Sequence, residues 1–555
     1  MTNIAVLHSP GTVDACPWGK DAIRLRLRAA RGDVTRARVI YACPKHTWWQ
    51  ERRTAELART FTDSEFDYFG GSVSLGGDTR FAYIFELTDR DGKLWYLSEE
   101  GLSPEYDHRF SYFNNFEYGC MFPEDRNPVP EWVLSAAAYQ IFPERFRDGG
   151  AAKDRSYLTD AWGVKPTPKS FYGGDLVGIR QKLPYLRELG VSLLYMTPVF
   201  CAPSNHKYDT VDYENVDPMF GGNAALKALV DDAHAMGMRV MLDGVFNHCS
   251  SQHPFFQDVV KNGRKSRYYS WFFIDGEYPD EAKGNYQMFA SVSYMPKLNT
   301  ANPEVIDYFT GVAVDWMKRC GVDAWRLDVA DEISHRFLKA FRQRVTAYNP
   351  EAIVIGEDWH FCPRTLCGDE FDGVMNYGLT KACMDLLAFR TITPGQFRDR
   401  LVRLYHRQGE DMAARMLNLL GSHDTDRFLT WCGGDKRLLR TAEAILFFYP
   451  GIPCVYYGDE VGMEGGYDPD CRRCFPWDES AWDWETRELV KKLMHMKKTT
   501  ALAGGDFRLE EGAGILTFTR SKGNSTVVLT VNGTPEERGG LAPFGFAITE
   551  KREET

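Results

Sequence analysis

In the run GVDAWRLDVADE, which begins at Gly321, an arginine stands two residues before an aspartate among alternating apolar and polar side chains. A half-buried strand has a side-chain period of two. The spacing therefore predicts Arg326 and Asp328 on one face, with Trp325, Leu327 and Val329 on the other. Taken alone, such residues form a structural ion pair as readily as a reactive site. Other runs of the same type add to them. RVMLDGVFNH ends in Asp243, Asn247 and His248, AIVIGEDW in Glu357 and Asp358, and LLGSHD in His423 and Asp424. The loop SNHKYDTVDY supplies His206, Tyr208 and Asp209.

Several carboxylates, two or three histidines and one arginine fit acid–base and nucleophilic chemistry. Paired carboxylates without a histidine triad for a metal point to glycoside hydrolysis. One carboxylate must be ionised beside the anomeric carbon, and the other must hold a proton for the leaving oxygen. Arg326 would keep Asp328 ionised and oriented, because an opposite charge favours the charged form. Glu357 stands among apolar residues and near other carboxylates, surroundings that favour a neutral acid. Asp424, beside His423, would stabilise positive charge developing on the sugar and bind its hydroxyls.

These residues need a frame that brings distant runs to one rim. Eight strand-like runs can be counted: AAAYQIF, SLLYMTPV, RVMLDGVFN, AWRLDVA, AIVIGEDW, FDGVMNY, RMLNLLGSHD and IPCVYYGDE. Helical patterns lie between most of them. In GIRQKLPYLRELG, Ile179, Leu183, Leu186 and Leu189 mark one face, and NAALKALVDDAHAMG is a second example. Eight such units favour an α/β fold of the (β/α)8 TIM-barrel type, whose sites lie at the C-terminal ends of the strands.

Residues 1–122 read as an N-terminal β-sandwich domain of short strands separated by Gly and Asp turns. The proline-rich FPEDRNPVPEW reads as a linker. The barrel is expected over 123–500, with a small subdomain inserted after its third strand at about 249–300. A short C-terminal β domain is expected over 501–555, from runs such as GILTFTR and STVVLTV.

A chain of 555 residues exceeds one hydrophobic core, in line with several domains. The net charge of −11 argues against nucleic acid or an anionic membrane as the partner. Aromatic residues make up 14%, a composition suited to flat sugar faces as well as to cores. No basic segment leading into a long apolar run opens the sequence, so no signal peptide is expected. No run of about twenty apolar residues predicts a membrane span. The 13 cysteines, odd in number and scattered, read as reduced thiols in a cytoplasm. Cys471 and Cys474 form a lone CxxC without a second pair, which is too little for a metal site.

The strings DGVFNH, GVDAWRLDVADE, VIGEDWH and LLGSHDTDR resemble, in order, the conserved regions of the α-amylase family of glycoside hydrolases. The resemblance runs from about Tyr139 to Trp477. It is nearest to the neopullulanase, cyclomaltodextrinase and maltogenic amylase group, through YQIFPERF, SNHKYDTVDY, MPKLN from Met295 and DPDCRR from Asp468. FDYF and RFAYIFEL resemble the extra β-sandwich of that group.

The resemblance implies roles residue by residue. Asp328 matches the nucleophile of a retaining mechanism, Glu357 the acid/base and Asp424 the transition-state stabiliser. Arg326 matches the residue that orients the nucleophile. His248 and His423 match histidines that bond hydroxyls of the sugar at the cleaved bond. Tyr208 matches the aromatic that stacks beneath that sugar, with His206 beside it. Asp243 and Asn247 match residues with a structural part. Asp468 and Arg472 match a pair on the non-reducing side, and Glu332 and Trp359 match positions near the sugars beyond the cleaved bond. Retention implies carboxyl groups of Asp328 and Glu357 about 5 to 5.5 Å apart.

The implied substrates are α-glucans: cyclodextrins, maltodextrins, pullulan or starch, with transglycosylation beside hydrolysis. An amylase-family glucosidase or glucanotransferase would use the same three carboxylates. A non-catalytic carbohydrate-binding module would be expected to have lost one of them, and all three are present. The resemblance also implies a homodimer contact through the N-terminal domain, where Trp48 and Trp49 are candidates for sugar stacking.

No cofactor is expected to be required. Relatives often carry an Asn- and Asp-rich calcium loop after the first barrel strand. Here it reads RFRDGGAAKDRSY, with Asp148 and Asp154 but few other side-chain oxygens. Calcium takes six to eight oxygen ligands, more than these side chains supply, so calcium stands as a possible ligand of this loop and not as a required one. Asp331 stands where the pattern has asparagine, beside the acceptor-side Glu332.

Overall fold

The computed structural model of the chain describes residues 5–18, 21–42, 51–76, 80–108, 113–119, 129–150, 153–360, 362, 364–366 and 368–552. Trp48, Trp49 and most of the linker string lie outside the described residues.

The chain divides into two compact units. The first comprises residues 1–129 together with 393–411 and 508–517. Its main element is a nine-stranded antiparallel sheet folded on itself. Alternation builds its core: Ile23, Leu25, Leu27 and Ala29 of Ala22–Ala30 point inward, and Phe81, Tyr83, Phe85 and Leu87 of Phe81–Asp89 meet them. The strand Arg53–Thr62 belongs to both layers. Its first half pairs with Val34–Ala42 and its second half with Phe66–Ser74, with a bulge between Arg59 and Phe61. Gly71 allows the close pairing, since a Cβ there would lie 3.0 Å from Leu57 Cδ2 and 3.2 Å from Glu56 O. Helix Pro394–Gln408 clusters within this unit, and Arg403 Nε bonds Asp63 at 2.7 Å.

The second unit holds the barrel. Its eight parallel strands are Ala138–Ile141, Leu193–Met196, Arg239–Gly244, Ala324–Leu327, Ile353–Gly356, Gly373–Val374, Leu417–Leu419 and Ile452–Tyr456. All eight coincide with the runs read from the sequence. They are hydrogen-bonded in the order six-five-four-three-two-one-eight-seven. A single bridge, Met375 with Leu417, joins the sixth strand to the seventh and closes the ring. The strands are short and almost wholly buried, as parallel strands covered on both faces must be.

Local signals set each strand's entry. Asn302 caps helix Pro303–Cys320 by accepting from Glu304 N, and Gly321 ends it at φ +84°. Three residues later Ala324 starts the fourth strand. Its Trp325 and Leu327 are buried on the outer side. Residues 358–372, between the fifth and sixth strands, contain no helix among the described residues.

The segment after the third strand forms an irregular subdomain around helix Pro254–Asn262. Phe256, Trp271, Phe272 and Tyr286 fill it, and MPKLN returns the chain so that Lys297 bridges His248. Residues 506–552 form a four-stranded sheet, with Ser525–Asn532 antiparallel to Phe546–Arg552.

Candidate active site

The third and fourth strands bring Asp243 and Arg326 side by side within the barrel. Arg326 is wholly buried. Its Nη1 donates to both oxygens of Asp243, at 2.7 and 2.8 Å, and to Asp328 Oδ1 at 2.9 Å. Its Nη2 lies 2.8 Å from Glu357 Oε2 without the angle of a hydrogen bond, so that contact is ionic. Three carboxylates thus converge on one guanidinium. Fully ionised, the group would bury net negative charge. Burial, with repulsion from Glu357 and Asp243, pushes the Asp328 carboxyl well above its usual range in spite of Arg326. Burial likewise pushes Asp243 up to about 6. The expectation that Arg326 would simply hold Asp328 ionised is corrected. One positive charge is shared among three acids, so Arg326 offsets only part of the cost of burying them.

Glu357 follows the fifth strand. Val329, the residue after Asp328, sits in the left-handed region at φ +46° and donates its N–H to Glu357 Oε2 at 2.9 Å. Trp359 Nε1 donates to Oε1 at 3.1 Å. The apolar surroundings expected for Glu357 are replaced by a guanidinium and two N–H donors. Trp359 lies flat on Tyr377, ring centroids 3.9 Å apart and 5° from parallel, with the indole 45% exposed.

The seventh strand delivers His423 and Asp424. Burial and the charges of Arg472 and Arg326 push the His423 imidazole well below its usual range, so the ring is neutral. Gln140 Nε2 lies 2.9 Å from Nδ1, which leaves the ring proton on Nε2. That atom meets the Tyr208 hydroxyl at 2.6 Å, and Tyr208 donates to Asp243 Oδ2 at 2.9 Å. Asp424 Oδ2 lies 3.0 Å from the same Nε2, a polar contact rather than an ion pair for a neutral ring. Tyr208 stacks on His423 at 5.4 Å and 7°.

Arg472 faces inward. It donates to His423 O at 2.7 Å and pairs with Asp424 Oδ1 at 3.2 Å and Asp468 Oδ1 at 2.9 Å. Cys471 Sγ donates to the same carbonyl at 3.2 Å. His206 stacks on Tyr208, and burial pushes it down to about 3. His248 stacks on Phe289 and is also pushed down to about 3 by burial, while its Nε2 makes no well-aligned hydrogen bond. Glu332 is exposed and pairs with Lys297.

The structure therefore gathers Asp328, Glu357, Arg326, Asp424, His423, Tyr208, Asp468 and Arg472 into one connected cluster, with Trp359 bonded to it through Glu357. His206 joins it through Tyr208. His248 and Glu332 are linked through Lys297, and His248 also meets the backbone of Tyr208. Gln140 and Tyr195, absent from the residues expected above, belong to the network too, and Tyr195 donates to Asp243 Oδ2 at 3.0 Å. Both were visible as polar atoms in strands otherwise built for burial. Asp243, read as structural, is the hub of the network.

The described residues of the loop after the first strand do not fit a calcium ion. Asp148 accepts from Gly150 N and pairs with Arg155, and Asp154 accepts from Ser156 N and Oγ. The nearest buried carboxylate, Asp175, already faces an ammonium, that of Lys153, at 2.7 Å. Among the described residues, no group of three His, Cys, Asp or Glu side chains is placed to hold a metal.

Residues 140–492 match the alpha amylase catalytic domain, and residues 1–119 match the alpha amylase N-terminal ig-like domain. A cyclomaltodextrinase of Geobacillus thermopakistaniensis is 41% identical over 97% of this chain and 92% of its own length. Neopullulanase 2 of Thermoactinomyces vulgaris is 40% identical over 96% and 92%. The solved structure of a cyclomaltodextrinase superposes with a TM-score of 0.91 at 37% identity, covering 96% of this chain and 92% of that one. With its barrel, sandwich and carboxylate cluster, the chain belongs to the alpha-amylase family of glycoside hydrolases.

Proposed function

We propose that this chain hydrolyses α-1,4-glucosidic bonds in cyclodextrins, short maltodextrins and pullulan, with retention and with some transfer to sugar acceptors. The observation that carries the reading is that Asp328 and Glu357 rest on the two nitrogens of one Arg326 fork. A close pair of this kind suits a nucleophile and an acid/base acting on one bond.

In the first step Glu357 gives its proton to the leaving oxygen while Asp328 attacks the anomeric carbon, forming a glucosyl ester. In the second, Glu357 takes a proton from water, which cleaves the ester and frees Asp328. A sugar hydroxyl in place of water gives transfer. Asp424 faces the developing oxocarbenium charge, steadied from behind by Arg472. The Nε2 of His248, which makes no well-aligned hydrogen bond, suits a sugar hydroxyl, and the exposed indole of Trp359 suits the acceptor sugar.

The names of the relatives above support cyclic α-glucans and pullulan over long starch chains. Initial rates on β-cyclodextrin, pullulan and soluble starch, with Asp328→Asn as the blank, test the substrate. Proton NMR of the first product anomer tests retention. Starch cleaved fastest, or a β-anomer released first, would overturn the reading.

We also propose the domain limits 1–122, 123–500 and 501–555, and a homodimer contact through the N-terminal domain. Sedimentation velocity tests the latter. A cytoplasmic location is supported by the described cysteines, all free thiols. No helix among the described residues is long and apolar enough to cross a membrane.

A further inference from the structure

We infer that the ammonium of Lys153 takes the part of a divalent cation at the loop after the first barrel strand, so that this chain ties the loop without metal. Lys153 Nζ donates to three oxygens from two other segments of the chain. They are Gly173 O at 2.7 Å, Asp175 Oδ2 at 2.7 Å and Met219 O at 3.0 Å. An ammonium has three N–H donors, and each finds an acceptor here. The side chain is 4% exposed and that of Asp175 is fully buried, so water competes little with the pair.

The second oxygen of Asp175 is also spent. It accepts from Gly178 N at 2.7 Å, capping helix Leu176–Gln181, and from Gly149 N at 3.1 Å. The carboxylate therefore binds the helix start, the loop backbone and the loop's own lysine at once. The loop lies backbone to backbone on this helix start: a Cβ on Gly178 would fall 2.0 Å from Arg147 O.

Calcium needs six to eight oxygens at about 2.3–2.6 Å. Placing one in this cradle would mean evicting a buried ammonium, with Asp148 already neutralised by Arg155. Two cationic side chains of the loop, Lys153 and Arg155, thus stand where charge would otherwise come from solution. A tethered cation is always present at its site and cannot be chelated.

The experiment uses the full chain. Thermal unfolding is followed in excess EDTA and in millimolar calcium, with metal content of the dialysed protein measured by elemental analysis. The expected result is one Tm in both buffers and no bound calcium. A drop of several degrees in EDTA, or one retained calcium per chain, overturns the inference.

Lys153→Ala is expected to lower Tm by on the order of 3 to 6 °C. Tens of millimolar methylammonium should return part of this loss, because the emptied cradle admits a cation. Lys153→Met fills the same space without charge and should gain nothing. Wild-type Tm in Lys153→Ala, or equal response of the two variants to methylammonium, overturns the inference. If neither variant can be recovered folded, the wild-type measurements in EDTA and calcium decide it.

Discussion

Val329 turns into the left-handed region at φ +46° and, from there, gives its N–H to Glu357 Oε2 at 2.9 Å. A β-branched residue in that region costs about 1–3 kcal/mol, and it stands between the two acids proposed to react. Val329→Gly relieves the strain and loosens the donor. Its stability should stay within about 1 kcal/mol of wild type, with kcat down about tenfold and KM little changed. Wild-type kcat in a folded Val329→Gly would show that the bent backbone does not serve Glu357.

Asp328→Asn keeps the size of the side chain and removes the oxyanion proposed to attack. Turnover of β-cyclodextrin should fall at least about 10³-fold, while circular dichroism and the melting curve remain native. A folded variant with a tenth of wild-type activity would put the nucleophile elsewhere.

Arg326→Met leaves Asp243, Asp328 and Glu357 without their shared cation. At pH 8 the loss should be about 3–5 kcal/mol, as for other broken buried pairs. The sign of the pH dependence follows from the raised folded-state pKa of Asp328 and of Asp243, which lies at about 6. Folded acids of this kind bind protons more readily than the unfolded chain does. Acidification from pH 8 to 5 protonates them in the variant and removes the uncompensated charge. The Tm deficit against wild type should therefore shrink over that range. A deficit that is constant or grows would mean the carboxylates do not depend on Arg326.

His8 probes the first unit. Burial pushes it down to about 4, with Nδ1 on Arg26 O at 2.6 Å and Nε2 on Tyr83 Oη at 2.8 Å. The unfolded chain takes up this proton near pH 6.5 and the folded chain only near 4. Wild type therefore loses stability as pH falls between those values, by an amount on the order of 3 kcal/mol. His8→Phe forfeits the two hydrogen bonds and should be less stable at pH 7.5. Its deficit should narrow by pH 4.5. Parallel Tm curves for the two proteins would refute the assignment.

Trp359→Ala removes an exposed ring held flat by Tyr377. Hydrolysis of the smallest substrates should change little, whereas transfer to a glucose acceptor should fall about tenfold, from the loss of one stacking face. Unchanged transfer products by chromatography would move the acceptor platform away from this indole.

Much of this site was legible because its residues close strands whose hydrophobic runs are unambiguous. The eight barrel strands follow from their apolar runs, and the pairing of Arg326 with Asp328 from period-two alternation and from turns such as Gly321. What the sequence could not show is mutual position. Nothing in GVDAWRLDVADE says that Arg326 also serves Asp243 and Glu357, which lie on neighbouring strands. For that reason the charge state of Asp328 was read as a pair property when it belongs to a cluster. Gln140 and Tyr195 were hidden for the same reason, since their partners lie far off in sequence. Helix Pro394–Gln408 lies between the sixth and seventh barrel strands in sequence, yet its residues cluster with those of the sandwich through contacts such as Arg403 with Asp63. Amphipathic pattern says that a face is covered and not by what.

The seam between the sixth and seventh strands has a dynamic corollary. One bridge, the Asn376 N–H on Leu417 O at 2.8 Å and the Asn376–Asn418 side-chain bond close it, against continuous ladders between the third, fourth and fifth strands. Subglobal opening is least costly where the fewest hydrogen bonds are broken. Amide exchange around Met375 and Asn376 should outpace that around Arg326 by orders of magnitude. Tyr377, the floor beneath Trp359, borders this seam, whereas the guanidinium fork stands on the stiff side of the ring. On this expectation the half of the rim beside Tyr377 opens more readily than the half that carries the guanidinium fork.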